Sequence, residues 1–213
     1  IIGERLVVLA RILKELGYSN VNVVTQQEMP DGNFPTVPKP NPEDPAVFKI
    51  AIKMAENIKP DIIFGTDPDC DRIGVVVRQS NGDYRNLTGN QLGILLTHYI
   101  LSSLKAENKL PKDGFIVKTI VTTEMAGAIA KDYGIKNIDV LTGFKYIGEK
   151  IKELHDHGKG TFIFGFEESY GYLAGDFVRD KDGVIASALI CEMALYYKEQ
   201  GINLFEALNC LYE

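Results

Sequence analysis

Between Glu4 and Leu16 the apolar residues Leu6, Val7, Leu9, Ile12, Leu13 and Leu16 recur at helical spacing, and Gly17 stands where a C-terminal cap would. This spacing predicts an amphipathic helix. Asn20–Thr25 (NVNVVT) alternates and is β-branched, which predicts a strand, and a turn- and proline-rich stretch follows from Met29 to Pro45. A loop of that length is ordered only if something packs on it. Asp44–Asn57 reads as a second helix with Pro45 in its first turn, where the missing N–H costs little, and it leads into a short buried strand at Ile62–Gly65. A strand pair at Ile73–Val77 and Tyr84–Leu87 comes next, with Asn81-Gly82 as a hairpin turn signal between them.

From Gly89 the pattern begins again. It predicts a helix to Leu104, a strand at Phe115–Lys118, a helix at Thr123–Tyr133 and a strand at Ile138–Leu141. A helix at Lys145–His155, a strand at Thr161–Phe164 and helices at Val184–Lys198 and Leu204–Tyr212 complete the chain. Helices alternating with short apolar strands indicate two tandem α/β domains, 1–88 and 89–213, each with a mixed, mostly parallel sheet flanked by helices.

Composition narrows the classes. The chain has 213 residues, 45% hydrophobic and 24% charged, enough for one large core or two small ones. No apolar run approaches the roughly 20 residues needed to cross a bilayer, and the N-terminus lacks the pattern of a signal peptide, so a cytoplasmic location is expected and a membrane partner is not. A net charge of -6 without clustered Lys and Arg argues against nucleic acid as a partner. Cys70, Cys191 and Cys210 show no CxxC or Cys/His spacing, so reduced thiols are expected rather than a disulfide framework or a zinc site. The chain starts at Ile1 without an initiator Met, and we expect an excised piece of a longer protein.

Chemistry concentrates in loops that leave strand ends. Gly65-Thr66-Asp67-Pro68-Asp69-Cys70-Asp71-Arg72 follows a buried strand, at the carboxyl end where α/β sheets hold ligands. Three carboxylates at i, i+2 and i+4 can converge, and like charges about 4 Å apart repel by roughly 4 kcal/mol per pair at an effective dielectric near 20. A cation should therefore sit among Asp67, Asp69 and Asp71, and oxygen-only ligands point to a hard divalent ion such as magnesium or manganese. An EF-hand also starts with alternating Asp, but its glycine position would be Arg72 and its bidentate Glu would be Arg78. A solvated acidic turn is the plainer alternative. Arg72 balances charge or grips a phosphoryl group beside the ion.

Gly165-Phe166-Glu167-Glu168-Ser169-Tyr170-Gly171 places carboxylates and a hydroxyl after a strand, suited to adjacent sugar hydroxyls, although an exposed acidic turn would read alike. Phe177–Gly183 (FVRDKDG) precedes a helix, whose N-terminal amides favour an anion, or is an ordinary charged turn with Asp182 as cap. Thr142-Gly143-Phe144-Lys145 also joins a strand to a helix, so three loops could face one crevice. His155 and His157 read as solvated residues at a helix end, and Gly143 and Gly148 make no dinucleotide fingerprint.

Taken together, PDGNFPTVPKPNPE (30–43), TDPDCDR (66–72), TGFKYIGEKI (142–151) and GFEESYGYLAGDFVRDKDG (165–183) resemble the α-D-phosphohexomutase family, in its phosphoglucomutase- and phosphopentomutase-like branch. The resemblance implies a four-domain enzyme of which this chain is domain two, without its first strand, and domain three. It implies that Asp67, Asp69 and Asp71 bind Mg2+, that Arg72 lies beside a phosphoserine phosphate, and that Lys181 assists proton transfer or binds substrate near the reacting oxygen. Glu167 and Ser169 would hydrogen-bond sugar hydroxyls, and Thr142, Gly143 and Lys145 would line the sugar site. The implied reaction moves a phosphoryl group between serine and a hexose phosphate through glucose 1,6-bisphosphate.

Two departures accompany the resemblance. The family's Thr-x-Ser-His-Asn-Pro nucleophile loop and its Arg-x-Ser-Gly-Thr phosphate loop do not occur in these residues, so domains one and four are expected as partners in the same polypeptide and this chain alone is expected to be inactive. Phosphopentose or mannose phosphate as substrate, a non-catalytic metal and sugar-phosphate binding protein, and a calcium-binding module remain alternatives.

Overall fold

In the computed structural model, which describes residues 6–37 and 39–213, the chain divides at Leu87 and again at Gly183. The described residues up to Leu87 form one unit with Gly183–Glu213, and Thr88–Asp182 form the other. By packing, the C-terminal helices thus group with the N-terminal segment.

The first unit contains α1 (Leu6–Glu15), a 3-10 turn (Pro45–Phe48) that runs into α2 (Lys49–Ile58), and the strands β1 (Ile62–Thr66), β2 (Ile73–Arg78) and β3 (Tyr84–Leu87). Glu4 and Arg5 of the expected first helix lie outside the described residues. The sheet order is β1-β2-β3 and both ladders are antiparallel, not the mostly parallel pairing expected. Loop length explains the difference: only residues 67–72 join β1 to β2 and 79–83 join β2 to β3, far short of the dozen or more residues a parallel crossover needs.

The expected strand at Asn20–Thr25 does not form. Residues 20–24 join no ladder, and a short 3-10 turn occupies Thr25–Gln27. A β-branched segment becomes a strand only where it finds an edge to pair with. Here Val21–Val24 and the whole of β1 line an apolar cavity of about 480 Å³ instead of pairing. The long loop between residues 29 and 45 is held from within the unit, since Asn41 and Glu43 both reach Arg72. α6 (Gly183–Glu199) packs on α1, β1 and β2, and α7 (Leu204–Tyr212) starts with a reciprocal cap between Asn203 and Glu206.

The second unit is a three-layer α/β/α structure built from α3 (Gly89–Ala106), β4 (Gly114–Thr119), α4 (Met125–Asp132), β5 (Lys136–Val140), α5 (Phe144–Asp156), β6 (Thr161–Glu167) and β7 (Gly171–Ala174). The strand order is β5-β4-β6-β7, parallel across the first three and antiparallel at β7. β7 is absent from the sequence reading, and β6 runs on to Glu167, three residues past the expected end at Phe164. β4 shows how alternation sorts the layers. Phe115 and Val117 join Phe144, Ile147 and Ile151 of α5 in one core, while Lys118 faces Glu124 and Asp139.

Because β4, β5 and β6 are parallel, their carboxyl ends lie along one edge of the sheet. The segments that leave them begin at Ile120, Leu141 and Glu168. The chemistry-bearing loops of this unit therefore start from a shared edge, as open α/β sheets arrange them.

Candidate functional site

The aspartate loop is organised by its buried member. Asp67 is 2% exposed, and its Oδ1 accepts the backbone N–H groups of Asp71 at 3.1 Å and Arg72 at 3.0 Å. Its Oδ2 accepts from Arg72 Nε at 2.7 Å. Cys70 stands in the left-handed region at φ 59°, and its N–H donates to the Asp67 carbonyl at 3.0 Å, so the chain doubles back within five residues. As a result Asp67, Asp69 and Asp71 can each offer a carboxylate oxygen within 4.8 Å of the others.

Electrostatics at this loop are unbalanced among the described residues. Burial pushes the Asp67 carboxyl above the usual carboxylate range; hydrogen bonds from Arg72 pull it back, and the neighbouring Asp71 adds to the rise. At Arg72, burial disfavours the charge, but its bond to Asp67 and the nearby Asp71 and Glu43 carboxylates outweigh that and raise its pKa. A cluster of three carboxylates whose buried member is harder to ionise has the donor chemistry of a hard divalent cation site, and such an ion would remove the repulsion.

Two supports of this loop were not legible as site residues. Arg72 Nη1 reaches Glu43 Oε1 at 3.4 Å and Asn41 Oδ1 at 3.5 Å, so the proline-rich loop holds the guanidinium in place. Gly183, the first residue of α6, donates its N–H to the Cys70 carbonyl at 3.0 Å. A Cβ at Gly183 would stand 2.6 Å from that same oxygen, so this close approach requires glycine. The sequence signal was present in NPE and DKDG, but only the fold connects those motifs to the aspartates.

In the second unit, Glu167 ends β6 and is 6% exposed, and residues 168–170 turn the chain into β7. Tyr170 takes the left-handed conformation at φ 69° to close that turn. Glu167 Oε1 and Lys181 Cδ both pass over Gly171, 3.1 and 2.6 Å from where a Cβ would stand. Lys181 Nζ lies 5.8 Å from the centroid of the Phe144 ring, and Asp182 N–H donates to the Tyr172 carbonyl at 2.9 Å. The structure thus gathers Glu167, Lys181 and the first residue of α5 at the sheet edge.

Gly143, at φ 116°, lets the chain enter α5 directly after Thr142. Thr142 and Lys145 are exposed, with Lys145 Nζ 5.0 Å from the centre of the Tyr146 ring, and Ser169 is half-buried in the turn after Glu167. Glu168 differs from Glu167. Its Oε2 accepts from Thr119 and Thr122, so the two neighbouring carboxylates do not act as a pair.

Two family models together match nearly the whole chain. Residues 3–82 match the family model described as phosphoglucomutase/phosphomannomutase, alpha/beta/alpha domain II, and residues 88–212 match that of domain III. The family's division by sequence and the division by packing part at Gly183. A phosphoglucomutase from Staphylococcus aureus strain N315 is 37% identical over 212 residues, covering 99% of this chain and 37% of that protein. A phosphopentomutase from Mus musculus is also 37% identical, over 99% of this chain and 34% of its own length.

The chain thus spans little more than a third of the relatives it matches. Among solved structures, a phosphoglucomutase/phosphomannomutase family protein from Burkholderia thailandensis superposes with a TM-score of 0.73 at 23% identity, covering 98% of this chain and 40% of the other. Four motifs in order, two matched domains and that fold lead to one conclusion: the chain belongs to the phosphoglucomutase/phosphomannomutase family of α-D-phosphohexomutases.

Proposed function

We propose that this chain supplies the metal-binding and sugar-binding parts of a cytoplasmic phosphoglucomutase that interconverts glucose 1-phosphate and glucose 6-phosphate. The observation that carries the proposal is the convergence of Asp67, Asp69 and Asp71 within 4.8 Å beside an arginine fixed by Asp67, Asn41 and Glu43. An Mg2+ bound by the three aspartates would supply charge stabilisation at the transferring phosphoryl group, the main task in such reactions.

The remaining work falls to side chains of this chain. Arg72 holds a fixed positive charge next to the aspartates and grips the phosphoryl group. Glu167 accepts hydrogen bonds from sugar hydroxyls and Ser169 both donates and accepts, while Thr142, Gly143 and Lys145 line the sugar. Phosphoryl transfer breaks the P–O bond to the donor oxygen, forms one to a sugar oxygen and releases the proton of that hydroxyl. Lys181, beside Glu167 over Gly171, assists that proton's movement. The donor is a phosphoserine in the rest of the polypeptide, where the first and fourth domains act as partners, and glucose 1,6-bisphosphate is the intermediate that reorients and returns its other phosphoryl group.

A second reading, that the sugar is a phosphopentose, is favoured by the mouse phosphopentomutase, which is as similar to this chain as the staphylococcal phosphoglucomutase. The test is conversion of glucose 1-phosphate to glucose 6-phosphate by the complete protein with Mg2+, beside ribose and mannose phosphates and beside this chain alone. Rapid turnover of glucose by the complete protein and none by the chain is expected. Preference for ribose would move the substrate within the family, and turnover of none of them would replace the enzyme by a binding protein.

A further inference from the structure

We infer that Glu168 is a positioning residue: through a buried pair of threonine hydroxyls at the end of β4 it fixes the turn that carries Glu167 and Ser169. The inference rests on the proposed sugar-binding role of those two residues. Thr119 and Thr122 are 0% and 2% exposed, and their Oγ1 atoms lie 2.6 Å apart. Both reach the same carboxylate oxygen, Glu168 Oε2, at 3.0 and 3.1 Å.

Two hydroxyl hydrogens serve three contacts, so at most two of these are hydrogen bonds at once. Whichever threonine donates to the other, the remaining hydrogen goes to the carboxylate. Each hydroxyl has one hydrogen to give and an ionised carboxylate has none, so Glu168 is the terminal acceptor for the pair. Without it, two buried hydroxyls would be left with only each other. A cluster of that kind is costly when partly satisfied and rigid when complete.

The threonine turn is itself held from its other side. Lys118 is fully buried, and its Nζ contacts the Thr122 carbonyl at 3.2 Å, Glu124 Oε1 at 3.0 Å and Asp139 Oδ1 at 3.0 Å. These three contacts match the three hydrogens of an ammonium group. Thr123 N–H donates to Asn90 Oδ1 at 3.0 Å, which ties the same turn to the start of α3.

The backbone of Glu168 rests on that helix start as well. A Cβ on Gly89 would stand 2.0 Å from the Glu168 carbonyl oxygen, and Tyr172, in β7, donates its hydroxyl to the Gly89 carbonyl at 3.0 Å. The Glu168 side chain thus turns to the threonines while that of Glu167 runs over Gly171. Glu168 thereby anchors the turn in which Ser169 stands and from which Glu167 leads.

The experiment compares Glu168→Ala, Glu168→Gln and the double variant Thr119→Val, Thr122→Val in the complete protein, reading KM and kcat for the sugar phosphate. It also reads amide hydrogen exchange of residues 167–170 in this chain. Glu168→Ala should raise KM about tenfold or more, within the roughly hundredfold that misplacing binding groups by about 1 Å can cost. It should also speed exchange about tenfold, because the turn loses the contact that holds it closed. Glu168→Gln, which keeps an acceptor oxygen, should remain within about threefold of the original, and the threonine double variant should match Glu168→Ala without adding to it.

Mg2+ affinity should stay unchanged throughout. Unchanged exchange and KM in Glu168→Ala, or a Glu168→Gln as impaired as Glu168→Ala, would overturn the positioning role. If the original protein turned over no sugar phosphate while exchange still responded as stated, the sugar assignment would fall and the anchoring of the turn would stand.

Discussion

Cys70 contributes a shape rather than a thiol. Its left-handed backbone lets Asp67, Asp69 and Asp71 converge, and a non-glycine residue in that conformation stores strain that its surroundings must hold. Gly183 provides that hold through its amide to the Cys70 carbonyl. Gly183→Ala would push a methyl group against that oxygen, so we expect a stability loss of roughly 1 to 3 kcal/mol, as for other overpacked sites, together with weaker divalent-cation binding. Urea unfolding and a Mg2+ titration measure the two effects. Normal values of both would show that the contact does not support the aspartates.

The convergence of the three aspartates with Arg72 was legible because their spacing is local: a loop of six residues between two strands leaves them little choice but to meet. Asn41, Glu43 and Gly183 were not, because each acts on that loop from a distant stretch of the chain. The same reason hid the different fates of Glu167 and Glu168. Adjacent carboxylates look equivalent in sequence, and only the threonines at the end of β4 distinguish them.

At the scale of elements, helical periodicity was read well where a single face is buried. α5, with Phe144, Ile147, Gly148 and Ile151 inward, follows its pattern to within one residue at each end. Pairing direction in the first unit was legible only from loop length, and the strand expected at Asn20–Thr25 failed because propensity does not supply a partner. β7 was hidden by Gly171 at its start and Gly175 just past its end. α3 shows a different constraint: a Cβ on Gly93 would meet the Phe166 ring at 2.0 Å, within the stack of Phe164, Phe166 and Tyr172.

Gly93→Ala should therefore destabilise the second unit by about 1 to 3 kcal/mol, against the small gain alanine brings to an exposed helix position. A lowered urea midpoint checks this, and a raised one would contradict it. α3 also carries His98, whose pKa burial lowers from its ordinary 6.5. Below that value the unfolded chain takes up a proton that the folded chain resists, so stability holds at higher pH and is lost as pH falls through about 6.5. The drop in urea midpoint between about pH 7.5 and 5.5 should be smaller in His98→Gln, and an identical drop would exclude His98 as its source.

For the whole molecule, the two units bring different chemistry: a loop of carboxylates with one arginine in the first, and a sheet edge with Glu167, Lys181 and the entry to α5 in the second. Their family membership and α/β architecture are established by the matched domains, and the account of function depends most on the aspartate loop being a metal site. The direct measurement is a calorimetric titration of this chain with Mg2+, and with Ca2+ for comparison, beside the Asp69→Ala variant, whose exposed side chain can be removed without opening the core. One saturable Mg2+ site that disappears in Asp69→Ala while the circular dichroism spectrum is kept is the predicted result. Undiminished Mg2+ binding in that variant, or a site that prefers Ca2+, would contradict it.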